Sequence, residues 1–225
     1  MKVMESIIIT GAGTGLGKEL ALLYAQRGYE IILVGRRKEP LQSVQKQIES
    51  FRGKAVAFSL DITNNEQVHK AAETLCQKHN VTMLINNAGV GHFGPLEQMT
   101  EQHIHEMIDI NVKGTIYMTK AFLPYFKTLQ EASIMNIIST AGLRGKVNES
   151  VYVASKFAVR GFSESLVKEL AGTNVAVTAV YMGGMNTPFW DDCNHIQDRS
   201  RLRSPKQVAE TIVNEYKRQP EIIVE

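Results

Sequence analysis

Short apolar runs rich in β-branched residues recur along the chain, at 6–10, 30–35, 54–60, 82–86, 133–138, 174–181 and 221–224. Such runs suit strands buried on both faces of a sheet. Between them lie longer amphipathic stretches at about 15–27, 38–51, 64–79, 100–127, 149–172 and 204–218. Several carry helix start signals. Thr63-Asn64 precedes Glu66, Thr100 precedes Glu101, and Ser204-Pro205 places a proline at a first helical position. Strand–helix alternation on this scale predicts an α/β, doubly wound, seven-stranded parallel sheet with helices on both faces and right-handed crossovers. No composition shift marks a second unit, so residues 1–225 are expected to form one domain. The least patterned long piece is 188–203, and a loop of that length is usually functional or mobile.

Composition narrows the function classes. The 225 residues are 44% hydrophobic and 21% charged, which is ordinary globular chemistry rather than disorder. A net charge of +2 gives no reason to expect a nucleic-acid partner. No stretch approaches the roughly 20 apolar residues of a membrane span. The N-terminus runs straight into a strand-like segment, so no signal peptide is expected. Cys76 and Cys193 stand far apart, which implies neither a metal cluster nor a disulfide framework. The expectation is a reduced, cytoplasmic protein without metal.

Candidate chemistry begins at Thr10–Gly17, a glycine-rich turn directly after the first strand and at the start of a helix. Such a turn must bend sharply, expose bare backbone to phosphate and pack helix against strand, and each task favours a residue without Cβ. The helix N-terminus adds free N–H groups and a positive dipole end. This predicts a Rossmann-type dinucleotide site. The second strand ends Val34-Gly35-Arg36-Arg37, with no acid before Glu39. An acid there would hold a ribose 2′-hydroxyl, whereas arginine pairs with a 2′-phosphate. NADP(H) is therefore the expected cofactor, with Arg36 as first contact and Arg37 as second.

In these and further motifs, the chain resembles the short-chain dehydrogenase/reductase family from end to end. The turn with Gly11, Thr14, Gly15, Leu16 and Gly17 is similar to its TGxxxGxG. Asp61-Ile62 is similar to the pair that holds adenine, and Asn87-Ala88-Gly89, following Asn86, to the segment beside the cofactor ribose. Asn111, Ser139, Tyr152 and Lys156 match the family's catalytic set, and Gly183 and Thr187 fall where its PG and following threonine occur. The resemblance implies that Asn111 anchors a water and that Lys156 also holds the nicotinamide ribose. One departure is Met182 in place of proline, which should leave the following loop freer.

The residues support that chemistry. Tyr152 and Lys156 are spaced i, i+4 and share a helix face. A phenol is a poor base at neutral pH. A nearby ammonium is expected to lower its pKa and ready it to move a proton to or from a carbonyl oxygen. Ser139 ends the fifth strand, where its hydroxyl can hold that oxygen. Substrate contacts are expected from His92 and Phe93, from Ala141 and Leu143 beyond Ser139, and from Met185, Phe189 and Trp190. Asp191 and Asp192 are expected to face water, and Cys193 to have no nucleophilic role. Apolar residues on 100–127 and 149–172 exceed what one sheet face consumes, and the resemblance implies a homodimer or homotetramer through these helices. The expected function is NADP(H)-dependent interconversion of a small-molecule carbonyl and alcohol. Alternatives are 3-oxoacyl-thioester reduction, for which Arg144, Lys146 and Arg199–Arg203 could form a docking surface, and non-catalytic NADP(H) sensing.

Overall fold

The computed structural model describes residues 4–191, 195 and 198–224. Its centre is one parallel sheet in the order β3-β2-β1-β4-β5-β6-β7. The strands are β1 (Glu5–Thr10), β2 (Glu30–Gly35), β3 (Lys54–Ser59), β4 (Asn80–Asn86), β5 (Ala132–Ile137), β6 (Val175–Met182) and β7 (Glu221–Val224). Each lies within two residues of its expected position. The continuous apolar runs have a direct cause. Ile7 and Ile9 face one helical layer, Ile8 faces the other, and all three are fully buried.

On one face pack α1 (Gly15–Gln26), α2 (Lys38–Ser50) and α7 (Pro205–Glu215). They contribute Leu20, Val44 and Ile212 to the core. On the other lie α3 (Asn65–Lys78), α5 (Thr115–Phe126) and α6 (Ser150–Glu169), contributing Val68, Phe122 and Leu166. The start signals act as caps. Asn64 accepts from the Gln67 amide, Thr100 from that of His103, and Ser204 forms a reciprocal capping box with Gln207.

The long helix expected over 100–127 is divided. A regular turn, α4 (Glu101–Glu106), passes into a π-helical segment at Met107–Gly114 before α5 begins. Two contacts account for the wider turn. Asn111 is drawn sideways into hydrogen bonds outside the helix, and Ile62 packs onto Gly114 so closely that a Cβ there would lie 2.6 Å from it. Such π segments concentrate at functional sites. Met182 stands just before the loop that lacks the proline. It is the last residue of β6, paired with Val224.

The chain builds β1 to β3 outward in one direction and β4 to β7 in the other. Connections therefore diverge between β1 and β4, opening a crevice at the strands' carboxyl ends. Both the glycine turn after β1 and Asn87–Gly89 after β4 lie at that crevice.

Candidate active site

The glycine turn is held by backbone contacts that tolerate no side chain. Gly11 has φ of 65°, and a Cβ on it would lie 2.9 Å from Ala88 Cα. A Cβ on Gly17 would lie 2.3 Å from the Gly11 carbonyl oxygen. The hydroxyl of Thr10 ties this turn to the end of β4, accepting from the amides of Asn87 at 2.9 Å and Ala88 at 3.0 Å. The Asn87 side chain donates back to the carbonyls of Thr10 and Gly11 at 2.9 and 3.3 Å. Asn87 thus braces the turn through its amide.

The turn fits an anionic group. Thr14 precedes α1 without a side-chain cap, and no acid stands in the first turn. The first N–H groups and the positive helix end are left for a phosphate. Thr187 lies over the turn, its Cγ2 3.4 Å from where a Gly15 Cβ would be. Leu16 is buried in the core beneath. Arg36 and Arg37 are exposed at the end of β2. The positive charge of Arg36 also reaches Glu106 and helps hold that carboxyl below its ordinary range, after the hydrogen bonds from Gln102 and His92. Asp61 also has a structural task. Its Oδ1 accepts from both the amide and hydroxyl of Thr63, at 2.9 and 2.8 Å, shaping the approach to α3.

Ser139, Tyr152 and Lys156 converge beside this turn. All three are at least nine-tenths buried. Ser139 has φ 150° and ψ 157°, a region that is nearly glycine-only and costs about 1–3 kcal/mol. The Ser139 hydroxyl acts on the Tyr152 hydroxyl and favours its ionised form, and Lys156 Nζ lies 5.6 Å from the Tyr152 ring centre. Asn111 accepts from the Val90 amide at 2.8 Å and donates to the Val90 carbonyl and Ser155 hydroxyl at 2.9 and 3.0 Å. Its side chain is therefore committed to bracing the loop after β4. A Cβ on Gly89 would meet both Asn111 Oδ1 and Lys156 Nζ, at 3.2 and 3.5 Å.

The electrostatics correct the expected lowering of the tyrosine. Burial pushes the Tyr152 phenol far above its ordinary value, the Ser139 hydroxyl pulls it back, and the charge of Glu149 raises it again. Burial likewise pulls the Lys156 ammonium down to about 8. Desolvation disfavours the charged form of both groups. In the chain alone, Tyr152 is a neutral acid.

Of the expected substrate residues, Phe93 and Phe189 reach Tyr152, with ring centres at 5.4 and 5.9 Å. Ala141 joins the same cluster. Trp190 stacks on Phe93, and its indole donates to the Met185 carbonyl at 2.9 Å. Three others are placed elsewhere. Leu143 packs with Ile138 and Tyr181, and the Met185 side chain joins the α1–α7 layer. His92 turns away, bonded to Glu106 at 2.9 Å and stacked on His103. A Cβ on Gly183 would meet open space. Asp191 is exposed and paired with Arg199 at 2.7 Å, while Asp192 and Cys193 lie outside the described residues. Glu149 and His195 were not anticipated. Glu149 reads in sequence as an ordinary helix start, and His195 sits in an unpatterned loop; only the fold joins them, at 2.9 Å.

Among the described residues no group of three or more His, Cys, Asp or Glu is placed to hold a metal, and no helix is long and apolar enough to cross a membrane. Comparison with known proteins adds to this geometry. The profile of a family described as short chain dehydrogenase matches residues 5–198. The chain is 36% identical over 215 residues to the 3-oxoacyl-[acyl-carrier-protein] reductase FabG of Thermotoga maritima, covering 92% of this chain and 87% of that one. It superposes on a short-chain dehydrogenase from Sphingobium yanoikuyae in complex with NADPH with a TM-score of 0.91, at 25% identity, covering 98% and 87% of the two chains. A short-chain dehydrogenase/reductase from Burkholderia phymatum in complex with NAD gives a TM-score of 0.89, also at 25% identity, covering 98% and 89%.

Proposed function

The chain belongs to the short-chain dehydrogenase/reductase family of oxidoreductases, and from that premise we propose that it is an NADP(H)-dependent enzyme interconverting a carbonyl and an alcohol. The observation that carries this reading is the buried Ser139–Tyr152 hydroxyl pair, with Lys156 behind it, beside an uncapped glycine turn. The backbone of Thr14–Gly17 would hold the pyrophosphate, and Arg36 with Arg37 would hold the 2′-phosphate. Ile62, Ala88, Gly89, Gly183 and Thr187 would line the remaining length of the cofactor, and Lys156 would hold its ribose. When bound, the dinucleotide supplies or accepts the hydride.

The chain's own residues handle the oxygen and the proton. Ser139 donates a hydrogen bond to the substrate oxygen as charge develops on it. Tyr152, kept protonated by burial, donates its hydroxyl proton to that oxygen in the reductive direction. A charged Lys156 then stabilises the phenolate left behind. Tyr152→Phe should lower kcat at least about 100-fold, the scale of lost acid catalysis, while NADPH binding measured by fluorescence stays near the wild-type value. Retained turnover would overturn the mechanism.

The similarity to an acyl-carrier-protein reductase favours a second reading, 3-oxoacyl-thioester reduction. Its expected docking cations are partly used within the chain. Arg199 pairs with Asp191, Arg201 with Asp198 at 3.3 Å, and Lys146 stands 4.0 Å from Glu149. Turnover of small ketones without oxoacyl thioesters would separate the readings. For assembly, a groove of about 530 Å³ between α5 and α6, lined by Ile116, Leu123, Pro124, Phe162 and Leu166, supports docking of a second copy. Leu123→Arg should convert the assembly to monomer in sedimentation, and a wild type already monomeric would remove this part of the reading.

A further inference from the structure

Glu149 precedes the first residue of α6, three residues before Tyr152. A side chain here ordinarily caps the helix, yet that of Glu149 makes no capping bond. It is 9% exposed and its Oε1 lies 2.9 Å from His195 Nε2. A carboxylate withdrawn this far from water is costly unless it is hydrogen-bonded, so the position calls for a partner. The His195 ring in turn stacks on Phe93, with centres 4.7 Å apart and planes 14° apart. Phe93 also stacks on Trp190 at 5.0 Å and sets its edge against Tyr152 at 5.4 Å.

The loop carrying Phe93 is tied to the same helix start a second time, by the Gly94 amide donating to the Asn148 carbonyl at 2.8 Å. Behind it, a Cβ on Gly91 would lie 2.5 Å from Phe93 and 2.6 Å from Phe189. The rings therefore fill the space beside the Tyr152 ring, and the Glu149–His195 bond fixes one of their number to the catalytic helix.

We propose that Glu149 and His195 are a specificity-determining pair. Through their hydrogen bond they hold Phe93 as a wall on the substrate side of Tyr152, which admits carbonyl compounds with a short unbranched group there and excludes aryl or branched ones. This rests on the carbonyl-reductase reading above. Glu149 touches no reacting atom in this scheme; its charge also raises Tyr152, but for substrate size it is a positioning residue that acts through His195 and Phe93.

Trp190 is the chain's one tryptophan and lies in the wall, so its fluorescence reports the wall without any turnover. Acrylamide quenching of Trp190 should increase in Glu149→Ala and His195→Ala. It should stay at the wild-type level in Glu149→Gln, which keeps the acceptor oxygen and removes the charge. In parallel, NADPH oxidation is followed with a series from 2-butanone to acetophenone and branched ketones. Phe93→Ala and Glu149→Ala should raise kcat/KM for the bulky members relative to 2-butanone by about tenfold, the scale on which a pocket discriminates small apolar groups. Glu149→Gln should keep the wild-type size profile. Unchanged quenching in both alanine variants, or an unchanged size profile in Phe93→Ala, would overturn the proposal. Increased quenching without turnover of any ketone by the wild type would uphold the wall and overturn the reductase reading instead.

Discussion

The two sides of the crevice are built from different materials. The side after β1 is made of backbone: glycines that admit no Cβ, a threonine hydroxyl accepting two amides, and an uncapped helix end. The side around Tyr152 is made of side chains: a hydroxyl pair, a buried ammonium and stacked rings. Backbone geometry is the same for any residue that can adopt it, so it suits a ligand whose phosphates never vary. Rings and charges change with single substitutions, so they suit a ligand on which relatives differ. The first side should accordingly fail all at once when disturbed, and the second by degrees.

The sharpest way to break the contrast is at Gly17. Alanine there puts a Cβ 2.3 Å from the Gly11 carbonyl oxygen, a clash with backbone that has nowhere to go. We expect Gly17→Ala to abolish measurable dinucleotide binding and to lower Tm, with a cost of about 3 kcal/mol or more, at the upper end for overpacked sites. Binding within a few fold of wild type would mean that the turn is as adjustable as the ring side.

Next in size is Lys156. Burial lowers its folded-state pKa to about 8 from the ordinary 10.5, so holding it charged opposes folding. The penalty is full below about pH 8, where folded and unfolded lysine are both charged. It fades as pH rises toward 10.5, where the unfolded chain also gives up its proton. At neutral pH it is roughly 3 kcal/mol. Lys156→Met should therefore raise Tm at pH 7 while losing turnover, and its advantage over wild type should shrink between pH 8 and 10.5. A Tm gain that does not vary with pH would show that the lysine's charge is not its source.

The smallest effect sharpens the comparison within the cofactor side. Arg36 is exposed, and what it offers a ligand is side-chain charge rather than backbone. Arg36→Ala should weaken NADPH about 10- to 100-fold, the scale of a hydrogen bond to a charged group, and leave NADH nearly unchanged in the same titration. Equal losses for both dinucleotides would argue against a 2′-phosphate contact.

Several features were legible in the residue order because they depend on local geometry. The strand at Glu5–Thr10 reads as a run because both of its faces are covered, and the caps at Asn64, Thr100 and Ser204 sit where their side chains reach an amide three residues on. The glycine turn reads equally well, since only residues without Cβ satisfy its contacts. The division of the long helix at Met107–Gly114 did not read, because its causes are Val90, Ser155 and Ile62, all on other elements. His92 and Phe93 are neighbours in the chain, yet one turns to Glu106 and the other to Tyr152.

The sequence by itself determined the order of the strands and helices, the glycine turn, and the i, i+4 placement of Tyr152 and Lys156, since each rests on spacing within one segment. Only the tertiary structure decided that burial pushes the Tyr152 phenol up rather than down, that Asn87 and Asn111 brace loops through their side chains, and that Glu149 faces His195. Those outcomes turn on desolvation and on contacts between distant segments. Burial in a low-dielectric interior moves a pKa by an amount that no spacing along the chain encodes.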